Sequence, residues 1–170
     1  HLGEIAWTAS LAMPDVAVIT NVTGAHVGEF GGMGRIAQAK GEILSGLSAD
    51  GVAVLNRDDR YFRFWASQAA PREVLDFGLE GAGRLRAETL VCDEFGRYAF
   101  TLSFDGRELG RIQLSLMGRH NVANALAAAA AALALRADPA EVLAGLEEVG
   151  PVAGRLGVFA GRDGARLLDD

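Results

Sequence analysis

Residues 14–56 read PDVAVITNVTGAHVGEFGGMGRIAQAKGEILSGLSADGVAVLN, in which two short apolar runs flank a glycine-rich loop and a helical segment. The runs VAVITN (16–21) and DGVAVLN (50–56) are apolar at consecutive positions, as in parallel strands that are buried on both faces. Between them, apolar residues recur at helical spacing over 34–47. This order of strand, loop, helix and strand predicts a parallel sheet with crossover helices.

The same alternation extends to both sides of this stretch. Residues 58–69 predict a helix with Asp58 or Asp59 as its cap, and EVLDFG (73–78) predicts a third strand. Residues 2–12 predict an amphipathic helix. Its expected apolar face consists of Leu2, Ile5, Ala9 and Leu11 or Ala12.

The pattern changes after the third strand. Side chains alternate in character over 84–117, with turn residues at EFG and DGRE, which predicts an antiparallel meander beside the main sheet. A long helix begins near Asn121, and a second helix over 138–150 has Asp138 as its cap. Residues 155–170 predict a hairpin. The fold class is therefore α/β, with a mostly parallel sheet flanked by helices and a small antiparallel meander. The apolar stripe of the long helix is formed by Val122, Leu126, Ala129 and Leu133.

Composition limits the classes of function. The 170 residues are 50% hydrophobic and 22% charged, which fits one globular domain. A net charge of −6 argues against nonspecific binding of nucleic acid or of anionic membranes. The single cysteine, Cys92, fits a structural position on a strand and a reducing cytoplasm. No apolar run is long enough to span a bilayer. We expect a cytoplasmic monomer without nucleic acid or membrane insertion.

Lys40 is the only lysine of the chain, and every other residue with a permanently positive side chain is an arginine. Arginine stays protonated, whereas a desolvated lysine can lose its proton and react as an amine. Lys40 shares the apolar stripe of its helix with Ile36 and Leu44 at spacings of four. Two interpretations stay open at this point: a lysine that extends to water from the edge of the apolar face, and an amine with a chemical role.

The glycine-rich loop follows a strand, and ligand sites of open α/β sheets lie at the carboxyl ends of strands. Asn21, His26 and Lys40 are therefore expected near one edge of the sheet. His26 is a metal ligand, a general base or an ordinary loop histidine. The loop glycines match neither the dinucleotide fingerprint nor the Walker loop, so they are a weak phosphate motif.

A second group of polar residues lies in GRHNVANA (118–125). Asn121 and Asn124 are three positions apart at a helix start, so both amides can face one way and read the edge of a purine. The alternative is a helix cap followed by a solvated asparagine.

Five stretches together resemble the central ATP-binding domain of the Mur ligases, in the family's order and over nearly the whole chain. They are PDVAVITNVTGAHVGEFG, AQAKGEI, DGVAVLNRDD, GRHNVANALAAAAA and GRLGVF followed by LLDD. The resemblance implies a P-loop NTPase-like domain of which residues 1–170 are a part. It also implies that the phosphate loop lies upstream of His1, and that an N-terminal UDP-sugar domain and a C-terminal domain are absent from these residues.

The resemblance also implies site residues. Lys40 corresponds to a lysine that is carbamylated and helps to hold magnesium, a metal that prefers oxygen ligands. His26 corresponds to a metal ligand of the family, although magnesium seldom takes nitrogen. Asn121 and Asn124 match the pair that recognises adenine.

Two further matches lie near the end of the chain. Arg155 matches an arginine that approaches the terminal phosphate, where its guanidinium can stabilise charge during transfer. Asp170 matches an acidic residue that binds the ribose hydroxyls, and Asp169 takes this place if the register shifts by one.

The branch of the family that these stretches resemble adds D-alanyl-D-alanine to UDP-N-acetylmuramoyl-tripeptide through an acyl phosphate. The implied cofactors are ATP and magnesium, with the carbamylated lysine. Without the phosphate loop, we expect residues 1–170 alone to be inactive and to bind ATP poorly. The alternatives are folylpolyglutamate synthase, cyanophycin synthetase and a noncatalytic nucleotide-binding domain of the same fold. A dinucleotide-dependent oxidoreductase lacks its fingerprint in this sequence.

Overall fold

The computed structural model describes residues 2–23, 32–81 and 83–151, together with the backbone of 157–160 and 166–169. The helices are α1 Glu4–Ala12, α2 Met33–Gly41, α3 Phe62–Ala69, α4 Arg119–Ala134 and α5 Pro139–Glu148, and α2 continues as a 3-10 helix over Glu42–Gly46. The strands are β1 Val16–Ile19, β2 Val52–Asn56, β3 Glu73–Gly78, β4 Leu85–Cys92, β5 Arg97–Phe104, β6 Arg107–Met117, β7 Gly157–Ala160 and β8 Arg166–Asp169.

Six strands form one sheet in the order β1-β2-β3-β4-β5-β6. The first four strands are parallel and the last two pairs are antiparallel, which confirms the predicted α/β class. The predicted antiparallel meander is present as β4, β5 and β6, and it joins the main sheet where Phe77 pairs with Leu85 and Gly78 with Arg86. β4 therefore continues the parallel sheet. The predicted hairpin is present as the antiparallel pair β7 and β8.

Both faces of the parallel strands are buried, which explains their continuous apolar runs. Val54 and Phe77 pack on one face with α4, whereas Ala53 and Leu55 pack on the other face with α3 and the 3-10 helix. The predicted stripe of α4 is confirmed, with Val122, Leu126 and Ala129 fully buried and Leu133 partly buried. Asp138 caps α5 as predicted and accepts a hydrogen bond from Ala140 N at 2.8 Å.

The predicted apolar face of α1 is confirmed only at Ala9, which is buried, and at Ile5, which is half-buried. Leu2 is 40% exposed and Leu11 is 64% exposed, and within this helix only Ala9 is buried. Ala9 packs against the backbone of Gly46, where an added Cβ would lie 2.5 Å from the Ala9 carbonyl carbon. The helix is thus held by a close backbone approach rather than by large apolar side chains.

The prediction that Asp58 or Asp59 caps α3 is also wrong. The helix starts at Phe62, and its N-cap residue Tyr61 makes no capping hydrogen bond through its side chain. The predicted helix over 34–47 is shorter than expected, because the α-helix ends at Gly41 and the chain continues with 3-10 geometry.

An ion-pair cluster joins the turn of the meander to the start of β3. Arg84 contacts Asp105 at 2.9 Å and Glu73 at 3.0 Å. The hydrogen bond to Asp105 raises the pKa of Arg84 above its usual range, and the same bond lowers the pKa of Asp105. All three side chains are substantially exposed, so this cluster adds little to stability.

Cys92 lies on β4, as expected for a strand position, but it is exposed rather than packed in the core. Within the described ranges, no helix combines the length and the apolar character needed to cross a bilayer.

The start of α1 is bound by a carboxylate from another segment. Glu42 accepts hydrogen bonds from Gly3 N at 2.8 Å and from Ala6 N at 3.3 Å. These amides have no partner within their own helix, and a negative charge is favourable at a helix start. We predict that Glu42→Ala lowers the free energy of unfolding by about 1–2 kcal/mol in urea titrations.

The matched control is Glu108→Ala, because Glu108 is exposed on β6. We expect this substitution to change the free energy of unfolding by less than about 0.5 kcal/mol. Equal losses for the two variants would contradict the capping role of Glu42.

Candidate functional site

The ends of three neighbouring parallel strands meet at one edge of the sheet. We call this the carboxyl edge, defined by residues 20–22 after β1, 56–59 at the end of β2 and 79–80 after β3. β6 runs parallel to β4 and therefore also ends on this side, directly before α4. The carboxyl edge is the usual ligand-binding edge of an open α/β sheet.

Lys40 reaches the carboxyl edge from the last turn of α2. Its Nζ donates a hydrogen bond to the carbonyl oxygen of Asn21 at 2.6 Å. The predicted stripe neighbours Ile36 and Leu44 are 6% and 2% exposed, and Lys40 itself is half-buried. A small pocket of about 200 Å³ lies beside it, lined by Ile5, Val18, Ile19, Thr20, Lys40 and Ile43. This hydrogen bond favours the interpretation of Lys40 as a positioned amine over that of a lysine that merely extends into water.

The segment NRDD (56–59) joins the strand ends together. Asn56 Nδ2 donates to Thr20 O at 2.7 Å, and Asp59 Oδ2 accepts from Val22 N at 2.7 Å. These side chains therefore tie the end of β2 to the loop that follows β1. The sequence indicated only a helix cap here, because the partners are more than thirty residues away along the chain.

The contacts continue from β2 toward α4. Asp58 Oδ2 accepts from Leu79 N at 2.5 Å, in the turn that follows β3. Glu80 in the same turn contacts Arg119 of α4 at 2.8 Å. Polar contacts thus run along the carboxyl edge from the end of β2 to the start of α4. The predicted lysine and the predicted asparagine pair lie toward opposite ends of this edge.

The asparagine pair is brought together as predicted. Asn124 Nδ2 donates to Asn121 Oδ1 at 3.1 Å, while Asn121 Nδ2 donates to Met117 O at 2.7 Å. The capping alternative for Asn121 is excluded, because α4 begins at Arg119 with Gly118 as its N-cap. Gly118 has a φ of +92°, a conformation that favours glycine at this start.

A pocket of about 190 Å³ lies beside the asparagine pair. Apolar side chains from β6, α4 and α5 form most of its wall, and the two amides supply its polar side. A largely apolar pocket with two amides on one side suits a heteroaromatic base. The lining residues are Leu114, Leu116, Asn121, Asn124, Ala125, Ala128, Leu146 and Val149. The sequence did not indicate the residues from β6 and α5, since their proximity depends on how α5 packs.

Three predicted site residues, His26, Arg155 and Asp170, lie outside the described residues. Asp169 is described only through its backbone, on β8. Across 2–23, 32–81 and 83–151, no group of three or more histidine, cysteine or acidic residues is arranged to hold a metal ion. The predicted metal site at Lys40 and His26 therefore stays a prediction.

Most of the chain matches one known protein family. The sequence profile described as the Mur ligase middle domain matches residues 1–132. The chain belongs to the Mur ligase family. This confirms the family resemblance carried by the five stretches of sequence.

Similar Mur ligases include the UDP-N-acetylmuramoyl-tripeptide--D-alanyl-D-alanine ligase of Escherichia coli (strain K12), which is 38% identical over 170 residues. That alignment covers 100% of this chain and 37% of the E. coli protein. This Mur ligase chain therefore spans little more than a third of the length of that relative.

Solved Mur ligases have the same fold. The crystal structure of MurF from Acinetobacter baumannii matches with a TM-score of 0.93 at 34% identity, covering 100% of this chain and 36% of that chain. The MurF ligase of Thermotoga maritima, solved in complex with ADP, matches with a TM-score of 0.82 at 26% identity, covering 99% of this chain and 38% of that chain.

Proposed function

We propose that this chain is the central, ATP-binding part of a ligase that adds D-alanyl-D-alanine to UDP-N-acetylmuramoyl-tripeptide. The observation that carries the proposal is the pocket beside Asn121 and Asn124, at the edge that Lys40 also reaches. The activity for which the E. coli relative is named and the ADP complex of the Thermotoga maritima relative support these substrates and ATP.

In the proposed reaction, a carboxylate oxygen of the tripeptide attacks the terminal phosphorus of ATP, and ADP leaves. The amine of D-alanyl-D-alanine then attacks the acyl carbon, and phosphate leaves with formation of the amide. The contribution of this chain is to bind the nucleotide and to orient it, which are large terms in phosphoryl transfer.

Each residue has a proposed role. The amides of Asn121 and Asn124 recognise the adenine edge, and the pocket walls pack against its faces. Arg155 approaches the transferred phosphoryl group, and Asp170 binds the ribose hydroxyls. His26 is a proposed metal ligand.

The residues around Lys40 fit a magnesium site only if the amine is carbamylated. A neutral lysine amine combines with carbon dioxide to give a carbamate and a proton, and the product carries two oxygens of the type that magnesium prefers. The carbamate nitrogen keeps one N–H, so its hydrogen bond to the Asn21 carbonyl can persist. Bound magnesium would offset negative charge on the phosphates during transfer.

We further propose that residues 1–170 are one part of a three-domain, monomeric, cytoplasmic enzyme. In this proposal, an N-terminal domain binds the UDP-sugar and a C-terminal domain brings the incoming amine. The exposed, unpaired Cys92 is compatible with a reducing compartment.

A chimeric ligase tests the function. This chain replaces the matched segment of the E. coli ligase, and the product is assayed for phosphate release. We expect release that requires ATP, UDP-N-acetylmuramoyl-tripeptide and D-alanyl-D-alanine together. Thermal unfolding of the chimera shows whether it folds. A chimera that unfolds cooperatively but releases no phosphate would contradict the proposal, and so would one that needs a different amine.

Asn124→Ala in the chimera tests the adenine pocket. We expect the KM for ATP to rise about tenfold, since one hydrogen bond to the base is lost. We also expect the preference for ATP over GTP to fall, an effect that general destabilisation does not produce.

The control for the pocket is Gln113→Ala, which removes an exposed amide that does not line the pocket. Its KM for ATP should stay within about twofold of the parent value. An unchanged preference for ATP in Asn124→Ala would contradict the adenine assignment.

A further inference from the structure

The loop after β1 is held at three successive positions by side chains from other segments. Within residues 20–22, Asn56 Nδ2 donates to the first carbonyl at 2.7 Å and Lys40 Nζ donates to the second carbonyl at 2.6 Å. Asp59 Oδ2 accepts from the third amide at 2.7 Å. This short stretch of backbone is therefore restrained by two strand-end side chains as well as by the lysine.

Two of these contacts involve the same peptide group. The carbonyl that accepts from Lys40 belongs to Asn21, and the amide that donates to Asp59 belongs to Val22. One planar peptide unit joins these atoms, and its C=O and N–H point in opposite directions. Asp59 and Lys40 therefore hold the two ends of one rigid group.

The chemistry of this arrangement is cooperative. A carboxylate that accepts from the N–H polarises the peptide group and strengthens its carbonyl as an acceptor for an ammonium group. Asp59 is half-buried, so solvent screens its contact less than it screens an exposed one. Its other oxygen accepts from Tyr61 N at 2.8 Å, which fixes the orientation of the carboxylate.

We propose that Asp59 is a positioning residue for Lys40. It holds the Asn21–Val22 peptide group in the orientation in which the carbonyl accepts the hydrogen bond from the lysine amine. Asp59 acts through this peptide group and does not touch the reacting atoms. Its importance for activity rests on the proposed function of Lys40, whereas its effect on the amine is a property of this chain alone.

The neighbouring aspartate provides a matched control. Asp58 has the same charge and also accepts hydrogen bonds from backbone amides, but these belong to Leu79 and Glu80 after β3. Asp58→Ala and Asp59→Ala therefore remove the same type of contact from two different loops. Only the second substitution should affect Lys40.

The unique lysine makes the amine directly measurable in the 170-residue chain. Trace reductive methylation with ¹³C-formaldehyde labels Lys40 and the N-terminal amine, which peptide mass analysis separates. In Asp59→Ala we expect the labelling rate of Lys40 to rise about threefold or more, and the exchange rate of the Val22 amide to rise about tenfold. In Asp58→Ala both rates should match those of the parent protein.

Asp59→Asn keeps the side-chain volume and one acceptor oxygen, so it tests the same contact with a smaller disturbance of the fold. We expect intermediate rates for this variant, with an unchanged circular dichroism spectrum. The proposal is overturned if either folded Asp59 variant has the same Lys40 labelling rate and the same Val22 exchange rate as the parent protein. Equal increases in the Asp58 and Asp59 variants would also overturn it, because they would indicate general loosening.

The chimeric ligase separates this inference from the proposed function. If Asp59→Ala alters Lys40 labelling and lowers kcat with little change in the KM for ATP, both proposals are supported. If labelling changes but the chimera keeps its kcat, Asp59 positions Lys40 as inferred, and the proposed role of Lys40 in the reaction is wrong.

Discussion

Lys40→Met and Lys40→Arg in the chimeric ligase are expected to lower kcat/KM at least about a thousandfold, because both remove the proposed carbamate ligand of magnesium. Methionine removes the amine. Arginine keeps a positive charge but stays protonated, so it cannot form the carbamate. Phosphate release at saturating and at limiting magnesium measures the effect. If Lys40 merely supplied charge, Lys40→Arg would retain much of the activity.

The control for this prediction is Arg35→Met, which removes an exposed positive charge from the same helix. We expect this variant to keep kcat/KM within about twofold of the parent. Losses of similar size for the Arg35 and Lys40 variants would contradict a specific role for Lys40.

The carbamate itself can be observed. ¹³C-bicarbonate added to the chain should give one lysine carbamate resonance, since Lys40 is the only lysine. Lys40→Arg should lack this resonance and keep the signal of the N-terminal amine. A bare Lys40 amine in a chimera that is active with ATP and magnesium would contradict the assignment.

Trp65→Ala is expected to lower the free energy of unfolding by about 3–5 kcal/mol, as for other buried aromatic side chains. Trp65 is 0% exposed, and its Nε1 donates to Ala37 O at 2.9 Å. The substitution leaves a cavity between α3 and α2 and removes the hydrogen bond that Trp65 donates to α2. Because α2 carries Lys40, the site should loosen as well. Urea titrations of the chain measure this loss.

The chain contains a matched control in Trp7, which is 65% exposed on α1. Trp7→Ala should change the free energy of unfolding by less than about 0.5 kcal/mol. Trp65→Phe should fall between the two, because it keeps most of the packing and loses the N–H donor. A small effect of Trp65→Ala would contradict the assignment of Trp65 to the core.

Most of the parallel sheet could be predicted from the sequence, because burial on both faces requires continuous apolar runs. Val52 and Val54 face one layer, while Ala53 and Leu55 face the other, so the run has no polar position. The packed side of α1 was harder to predict, since Leu11 on this helix and Leu2 just before it are exposed. Apolar spacing indicates a helix but not which side of it packs.

The candidate site was predictable only in part. The uniqueness of Lys40 and the spacing of Asn121 and Asn124 are visible in the sequence, and the structure places both groups at the carboxyl edge. The walls of the pocket beside the asparagines were not predictable. Leu146 reaches that pocket only because α5 packs beside α4 and β6.

The aspartates of NRDD show most clearly which features can be predicted from the sequence and which depend on the tertiary structure. The order of strands and helices follows from the amino-acid sequence, because apolar periodicity is a local property that burial imposes on each segment. The contacts of Asp59 and Lys40 with opposite ends of one peptide group become visible only in the folded chain. Hydrogen-bond partners depend on which strand ends become neighbours, and neighbouring strand ends come from distant parts of the chain.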